Sequence, residues 1–401
     1  MLTILNLKFS AIRNILILFF VSTLLIAQEA QNTSSKTYTF LRFGYQAGTV
    51  LQTSEFLQGE NATGVPIDYF QSARLEFGWQ TTGEADWHQA FNFPTYGVGI
   101  YAANFFNVSE IGTPSAIYGF FDWPFKRFKN SALSAEFGFG IAYDWEPFDP
   151  ESNPYNLVIG AGRSVYIDVG LKYTYQISQR FDISGQISFS HFSNGSSQQP
   201  NAGINLFAPR INLSYNFQKV RPKLEKKILP EFKSKYELTT SLTYGSKSDV
   251  YNVINPPDNT IKYDSLKRES FDVFALIVTF NKQISYKSKI GIGTDVEYDP
   301  SLGVQYEYVN GEKKKIDSST SDKIRWGVFG QYTLVIHKLE GIVGVGYYVI
   351  GETPGDYKKL YQRLGAKYYI FNNFSAGLNL RFYDFSRADN MEFNVGYRFD
   401  L

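Results

Sequence analysis

The chain has 401 residues, enough for one large domain or two ordinary ones, and its formal net charge of +1 gives no general attraction to nucleic acid or to an acidic substrate. It contains no cysteine, which excludes disulfides, thiolate metal sites and a lipid-modified N-terminal cysteine. Aromatic residues make up 17% of the chain, an abundance suited to aromatic girdles at membrane interfaces or to the core of a soluble all-β protein.

The first residues have the pattern of a secretory signal peptide. Lys8 and Arg13 supply positive charge, an almost unbroken apolar run follows over 14–26, and Ala27 is the small residue that a signal peptidase requires. An N-terminal membrane anchor is the alternative, but the run is shorter than the roughly 20 apolar residues of a spanning helix. The sequence therefore predicts that residues 1–27 are removed and that the rest is exported.

After residue 27, apolar and polar side chains alternate in many long segments. Leu133, Phe137 and Ile141 share one parity, with Ser134 and Glu136 on the other. Alternating strands of about ten residues are typical of outer-membrane barrels, and only helices and closed barrels satisfy every backbone group in lipid. The fold class predicted is all-β, a transmembrane antiparallel β-barrel architecture, with about eight strands in each half of the chain and about sixteen in total. They lie near 38–49, 67–79, 94–105, 116–126, 133–147, 163–176, 179–192, 203–218, 235–246, 270–283, 286–297, 322–335, 338–350, 358–371, 373–384 and 391–401.

The connections alternate between short turns and long polar loops. The longest loops are 147–162, 247–268 and 298–321, and long loops are expected on the external side of such a barrel. An even number of strands leaves both ends of the chain in the periplasm. The last segment, 391–401, resembles the aromatic-rich final strand by which outer-membrane barrels are recognised for assembly.

A basic, proline-containing stretch divides the exported chain. It defines three predicted parts, a barrel half at 28–218, a linker at 219–234 and a C-terminal strand half at 235–401. Two arrangements are open at this point: an eight-stranded barrel followed by a second one, or one fused barrel of about sixteen strands. We favour the fused barrel slightly, because two full barrels in one chain are uncommon.

One cluster of polar residues falls where lipid-facing residues are expected. His88 and His337 are interpreted as solvated turn residues. His191 and Ser193, in contrast, continue the apolar parity of their strand, and Asn205 has the outward parity of the next strand. Near the membrane interface such polar groups cost only roughly 0–1 kcal/mol. Since two residues at i and i+2 share a strand face, His191 is placed to serve Ser193 as a general base.

The segment 191–205, with His-Phe-Ser-Asn-Gly and then Pro-Asn-Ala-Gly-Ile-Asn, resembles the His-x-Ser-Asn signature of the outer-membrane lipid A 3-O-deacylases (PagL), also described as acyloxyacyl hydrolases. The resemblance covers about 38–218. It implies an eight-stranded barrel in the outer membrane, with the motif on its last hairpin. It further implies hydrolysis of an ester-linked acyl chain of lipid A, the lipopolysaccharide anchor in the outer leaflet, without a cofactor or a metal.

The resemblance also assigns roles to single residues. Ser193 would be the nucleophile, His191 the general base and Asn194 a donor to the oxyanion. The acidic residue of the family, a glutamate, falls on Asn205. An asparagine carbonyl can orient a histidine but cannot stabilise an imidazolium by charge. The substitution is compatible with a weaker enzyme, a differently arranged one, or none.

Several other interpretations remain open from sequence. His191, Ser193 and Asn205 would also be compatible with a non-catalytic polar patch at the interface. A sixteen-stranded barrel could be a water-filled pore or a passive structural barrel, and the loops 247–268 and 298–321 could serve a surface adhesin. The acidic loop residues Glu146, Asp149 and Glu151 could bind a divalent ion but fit a solvated loop better, as do Lys313, Lys314 and Lys315. The sequence does not determine the oligomeric state.

Overall fold

The computed structural model describes residues 38–250, 253–254, 268–309, 312–351 and 359–401. The predicted signal peptide at 1–27 and most of the predicted loop 247–268 lie outside the described residues. Within these ranges the fold is almost entirely antiparallel β-structure, so the predicted all-β barrel class is confirmed. No helix found there is both long and apolar enough to cross a bilayer.

The N-terminal barrel has eight strands joined in chain order, and its first and last strands pair to close it. The strands are β1 (Tyr38–Leu51), β2 (Tyr69–Gln80), β3 (Thr95–Asn104), β4 (Gly112–Arg127), β5 (Ser131–Trp145), β6 (Arg163–Gln176), β7 (Phe181–Ser193) and β8 (Ile204–Asn216). Two short helices lie in the connections, α1 (Asp86–Ala90) before β3 and α2 (Val108–Ile111) before β4.

The C-terminal barrel is a second closed sheet. Its elements in chain order are β9 (Lys235–Val250), β10 (Val253–Ile254), β11 (Arg268–Gln283), β12 (Ser288–Tyr298), β13 (Gln305–Val309), β14 (Glu312–Ile316), a 3-10 turn (Ser321–Lys323), β15 (Ile324–Ile336), β16 (Leu339–Ile350), β17 (Leu360–Tyr369), β18 (Phe374–Tyr383) and β19 (Arg387–Asp400). A separate small sheet contains β10, β13 and β14, and β19 pairs with β9 to close the remaining eight strands into a barrel. The predicted loop 298–321 is therefore partly β-structure.

The preference for one fused barrel of about sixteen strands was wrong. In β8, Leu213 lies opposite Phe43 of β1 and Ile211 lies opposite Tyr45, so the N-terminal sheet has no free edge at which a ninth strand could join. The linker 219–234 then leads to β9, whose far edge is occupied by β19. Each barrel satisfies its own backbone hydrogen bonds, which is the condition for a sheet in lipid.

Side chains of the N-terminal barrel alternate between a polar lumen and an apolar outer surface. Outward residues such as Leu171 and Ile187 are exposed. In the lumen, the Glu136 carboxylate accepts hydrogen bonds from Arg42 at 2.6 Å, Lys172 at 2.6 Å and Arg210 at 2.7 Å. Buried charges are tolerated only when they are paired in this way.

The C-terminal barrel is filled by the same kind of network. Lys289 contacts Glu237 at 2.7 Å and Glu340 at 2.6 Å, and Glu340 also pairs with Lys367 at 3.0 Å. All four side chains are buried. An eight-stranded barrel is just wide enough for its own side chains to fill the interior. The described residues of both barrels thus favour packed interiors over a water-filled pore.

The connections of the N-terminal barrel lie at its two ends. The chain enters and leaves at one end, which an outer-membrane barrel keeps in the periplasm. The connections at the opposite end are residues 52–68, 105–111, 146–162 and 194–203. Apolar side chains of these connections, Phe56, Leu57, Val158 and Ile159 among them, are at most 2% exposed and cover that end of the barrel. The external end is therefore a packed cap, and the loop 194–203 belongs to it.

Removing the carboxylate of Glu136 tests the filled lumen. Glu136→Ala leaves three buried cations without their common partner, and we expect the free energy of unfolding to fall by about 3–5 kcal/mol. Urea unfolding of the barrel in lipid vesicles measures this change. Lys315→Ala is the control, because the Lys315–Glu269 pair is more than a third exposed and such pairs contribute about 0–1 kcal/mol. Equal effects of the two variants would contradict the structural role of Glu136.

Candidate active site

The polar residues singled out in the sequence meet on the outer face of one hairpin. β7 ends with His191 and Ser193, and β8 begins just before Asn205. His191 lies directly opposite Asn205 in the register of the two strands. Their outward neighbours Phe189 and Phe207 are 39% and 50% exposed, so this is the lipid-facing side of the hairpin. The hairpin therefore brings the imidazole, the hydroxyl and the amide to the external edge of the apolar surface.

The closest contact in this cluster joins His191 to Asn205. Nδ1 of His191 lies 2.7 Å from the Oδ1 atom of Asn205. An amide oxygen can only accept a hydrogen bond, so Nδ1 of the imidazole carries the hydrogen in this contact. In the neutral ring Nε2 is then unprotonated and keeps its lone pair. This is the tautomer that a general base needs.

The hydroxyl of Ser193 is held by the loop that follows it. The backbone N–H of Gly195 donates to Ser193 Oγ at 3.1 Å, and Asn201 Nδ2 donates to the same oxygen at 3.0 Å. Because both contacts use the hydroxyl as an acceptor, its own hydrogen remains available for donation. Ser193 is 8% exposed. The oxygen therefore accepts two N–H hydrogen bonds in a buried position.

Gly203 lies beside both the imidazole of His191 and the side chain of Ser193. Its φ of +74° belongs to the left-handed region that suits glycine. A Cβ at this position would lie 3.2 Å from Cε1 of His191 and 3.6 Å from Cβ of Ser193. The imidazole and the serine side chain thus border the same small space beside Gly203.

The predicted oxyanion donor, Asn194, has a different set of contacts from those expected. Its side-chain Nδ2 donates to the carbonyl of Gln198 at 2.6 Å, and its backbone N–H donates to Asn201 Oδ1 at 2.9 Å. Asn201, whose amide reaches Ser193, was not assigned a role from sequence. The only sequence feature that could have indicated a role for Asn201 is its polar side chain within the motif segment 191–205.

Within the N-terminal barrel, the loop 194–203 is supported by the connection between β5 and β6. Ala202 N–H donates to Leu157 O at 3.3 Å, and Gly203 N–H donates to Val158 O at 3.0 Å. Asn156, which is fully buried, fixes that connection. Its Nδ2 donates to Glu110 O and to Glu146 O, each at 2.8 Å. One buried amide therefore ties two connections together beneath the site.

The acidic residues of that same connection do not form a metal site. Asp149 Oδ1 accepts from the backbone N–H groups of Ser152 at 2.8 Å and Glu151 at 2.9 Å. These hydrogen bonds, first that from Ser152, lower the pKa of Asp149 below its usual value. Among the described residues, no group of three acidic or histidine side chains is arranged to hold a metal ion.

The remaining two histidines lie at the opposite end of the molecule. His88 is in α1 and is half-buried, so its interpretation as a solvated turn residue was wrong. Burial, together with the nearby His337, lowers the pKa of His88 to about 4. His337 is exposed in the turn between β15 and β16, where its ring stacks on Trp87 at 5.9 Å between centroids. Of the three histidines, only His191 lies near Ser193.

Two family models match the chain, and together they span most of it. Residues 71–216 match the model described as lipid A 3-O-deacylase (PagL), and this range includes the whole site. Residues 235–401 match the model described as the acyloxyacyl hydrolase C-terminal domain. No curated protein matches the chain.

Solved structures with similarity to the chain are outer-membrane proteins. A ferric enterobactin receptor from Pseudomonas aeruginosa is 10% identical with a TM-score of 0.23; the match covers 88% of this chain but only 63% of the receptor, less than two thirds of its length. The translocator domain of the autotransporter NalP from Neisseria meningitidis is 8% identical over 95% of this chain and 94% of its own, with a TM-score of 0.17. Omp33 from Acinetobacter baumannii is 7% identical over 91% and 99%, with a TM-score of 0.16. At such TM-scores the chains do not superpose as wholes.

The buried amide of Asn156 offers a test of how the site loop is supported. In Asn156→Ala the carbonyls of Glu110 and Glu146 each lose one of two amide donors, and the N–H groups of Val158 and Ile159 lose their side-chain acceptor. We therefore expect both the connection 146–162 and the loop 194–203 to open more often. Hydrogen–deuterium exchange should be at least about tenfold faster at the amides of Ala202 and Gly203, since a lost buried hydrogen bond is worth roughly 1–3 kcal/mol. Ser152→Ala, an exposed change in the same connection, should leave these amides unchanged. Unchanged exchange in Asn156→Ala would contradict the proposed support.

Proposed function

The chain belongs to the family of lipid A deacylases, outer-membrane hydrolases that act on ester bonds, and on that premise we propose that it removes an ester-linked acyl chain from lipid A by a Ser193–His191 mechanism. The observation that carries the proposal is the 2.7 Å contact between His191 Nδ1 and Asn205 Oδ1 beside Ser193. This contact leaves Nε2 of a neutral imidazole free to take a proton, as nucleophilic catalysis by a hydroxyl requires.

The place of the site on the barrel suits a lipid substrate. His191 and Asn205 face outward at the external end, where the apolar surface meets the connections. Lipid A lies in the outer leaflet, so its ester groups are at the depth of this boundary. Polar side chains at that depth cost roughly 0–1 kcal/mol, much less than at the bilayer centre. The acyl chains can remain in the membrane while the ester bond reaches Ser193.

The proposed reaction has two halves. In the first, His191 Nε2 accepts the hydroxyl proton of Ser193 while Oγ attacks the ester carbonyl carbon, and a tetrahedral intermediate forms. The intermediate collapses when the C–O bond to the sugar breaks, and the imidazolium returns the proton to that sugar oxygen. In the second half a water molecule replaces the sugar hydroxyl, and the acyl-enzyme is hydrolysed to a free fatty acid and regenerated Ser193.

The negative charge of the tetrahedral oxygen needs fixed donors close to Ser193. We propose that the Gly195 N–H and Asn201 Nδ2, which now meet at Ser193 Oγ, are the nearest candidates. Asn194, assigned as a donor from sequence, would then act through Asn201, since its N–H fixes the Asn201 side chain by a 2.9 Å hydrogen bond. In this arrangement both asparagines serve the oxyanion, one directly and one by positioning.

The asparagine at position 205 sets a limit on the rate. Its Oδ1 atom selects the tautomer and orientation of His191, which is part of what a triad acid does. It carries no charge, however, so the imidazolium that forms during attack receives less stabilisation than a carboxylate would give. We therefore propose an enzyme that is oriented for catalysis but slower than relatives with an acid at this position.

Replacing the nucleophile tests the function directly. In Ser193→Ala no acyl-enzyme can form, and we expect the loss of one acyl chain from lipid A to disappear. Mass spectrometry of lipid A from cells that express each form, with equal amounts of folded barrel, measures this. Ser197→Ala is the matched control, because Ser197 lies in the same loop and its N–H donates only to Asn194 O at 3.2 Å. Identical lipid A in wild type and Ser193→Ala would contradict the proposal.

Position 205 gives a graded test of the histidine partner. Asn205→Ala removes the acceptor for Nδ1, and kcat should fall by about 10²-fold, at the low end of what general-base catalysis contributes. Asn205→Asp adds charge at the same place, and kcat should rise above the wild-type value because the imidazolium is stabilised. Phe207→Ala, on the same face of β8, should leave kcat within about twofold, as expected for an exposed side chain outside the site. A wild-type kcat in Asn205→Ala would rule out the His191–Asn205 pair.

A further inference from the structure

The loop that carries the site is attached to the C-terminal barrel as well as to its own. Ser196 Oγ donates to the carbonyl of Ala388 in β19 at 2.7 Å. The backbone N–H of Ser248 in β9 donates to Ser196 O at 2.9 Å. Ser196 thus makes two hydrogen bonds to the C-terminal barrel, one to each of two adjacent strands.

Gly195 brings the two barrels into direct contact. A Cβ on Gly195 would lie 3.0 Å from Met391 Cβ and 3.1 Å from Leu380 Cδ1. Met391 and Leu380 are cross-strand neighbours on the outer face of β19 and β18. The residue has a φ of +60°, so both its backbone conformation and its surroundings require glycine. The outer face of the C-terminal barrel is thus packed against the backbone two residues after Ser193.

The residues that contact the second barrel are also linked to Ser193 Oγ. Gly195 is the residue whose N–H donates to Ser193 Oγ at 3.1 Å, and Ser196, with a φ of +64°, continues the same left-handed turn. The direction of the Gly195 N–H depends on where this turn is held. Fixed donors are effective in catalysis only when their position is set before the reaction.

We infer that the C-terminal barrel is a working part of the active site, and that Ser196 is the positioning residue through which it holds the Gly195 N–H on Ser193. The inference rests on the proposed function. It assigns to the second barrel a role in the chemical step through the position of the Gly195 N–H. Met391 and Leu380 pack against Gly195, and Ser196 makes the hydrogen bonds to the second barrel.

The first test separates positioning from folding. Ser196→Gly keeps the left-handed turn accessible but removes the hydroxyl, and kcat on lipid A vesicles should fall about tenfold, a typical effect of losing one hydrogen bond. KM should stay within about twofold, because the Ser196 hydroxyl lies away from the acyl chain. Ser197→Gly adds the same backbone freedom one residue later and should retain the wild-type kcat.

The second test acts from the other side of the contact. Met391→Trp enlarges the side chain that packs against Gly195, and kcat should fall more than about tenfold, as expected when a donor is displaced. Val395→Trp is the matched control, because Val395 lies on the same face of β19 and is 48% exposed. If Ser196→Gly equals Ser197→Gly and Met391→Trp equals Val395→Trp in kcat, the inference is overturned while the function stands.

A third measurement does not use activity. The chain has no cysteine, so the double variant Ser196→Cys/Ala388→Cys carries only the two introduced thiols. Mild oxidation should join them, and a maleimide mass tag should then fail to label the protein. Full labelling both after oxidation and after treatment with a short bis-maleimide, which does not require disulfide geometry, would overturn the contact itself. Absence of lipid A hydrolysis by the wild type, in contrast, would overturn the proposed function and with it the catalytic part of the inference.

Discussion

Closure of each sheet on itself is the constraint from which the rest of the structure follows. In lipid, no water is available to form hydrogen bonds with the backbone groups of an unpaired strand edge. Pairing of β1 with β8 and of β9 with β19 satisfies these groups. An eight-stranded barrel is too narrow for a wide aqueous channel, and here its interior is filled by side chains. The inward-facing polar residues of the alternating strands are therefore buried. The charged ones are tolerated because they form ion-pair networks such as that around Glu136.

The same constraint decides where chemistry can occur. A lumen filled by paired Arg, Lys, Glu and Asp side chains has no room for a lipid, and the outer surface of each barrel is apolar over most of its height. A cluster of polar side chains can face the membrane only at the rim of the barrel, near the membrane interface, where the free-energy cost of this exposure is small. His191 and Asn205 lie at that rim, His191 near the end of β7 and Asn205 near the start of β8. Their position on a rigid hairpin, rather than on a free loop, fixes the 2.7 Å contact between them.

Much of this could be predicted from sequence, and the exceptions have physical causes. Period-two alternation determines both strand position and facing, so β6 was placed at 163–176 as observed and His191 was assigned outward. Alternation is a local property, however, and it is the same for a strand in a barrel of eight or of sixteen, so closure was predicted wrongly. The contacts of Asn194 and Asn201 depend on how ten residues of loop fold back on Ser193, and no periodic signal describes such a turn.

The second barrel can be understood in the light of the substitution at position 205. In the proposed mechanism a neutral asparagine would stabilise the imidazolium less than a carboxylate, and rigid donors to the oxyanion would offset part of that difference. In a single barrel the loop 194–203 would be supported on one side, by Leu157 and Val158. Here a second barrel, anchored through Ser196 and packed on Gly195, supports the other side. A loop held between two rigid walls can keep its N–H groups in place at little entropic cost during the reaction. In the proposed mechanism the neutral residue beside His191 would raise the barrier, and the packing of the second barrel against Gly195 would lower it.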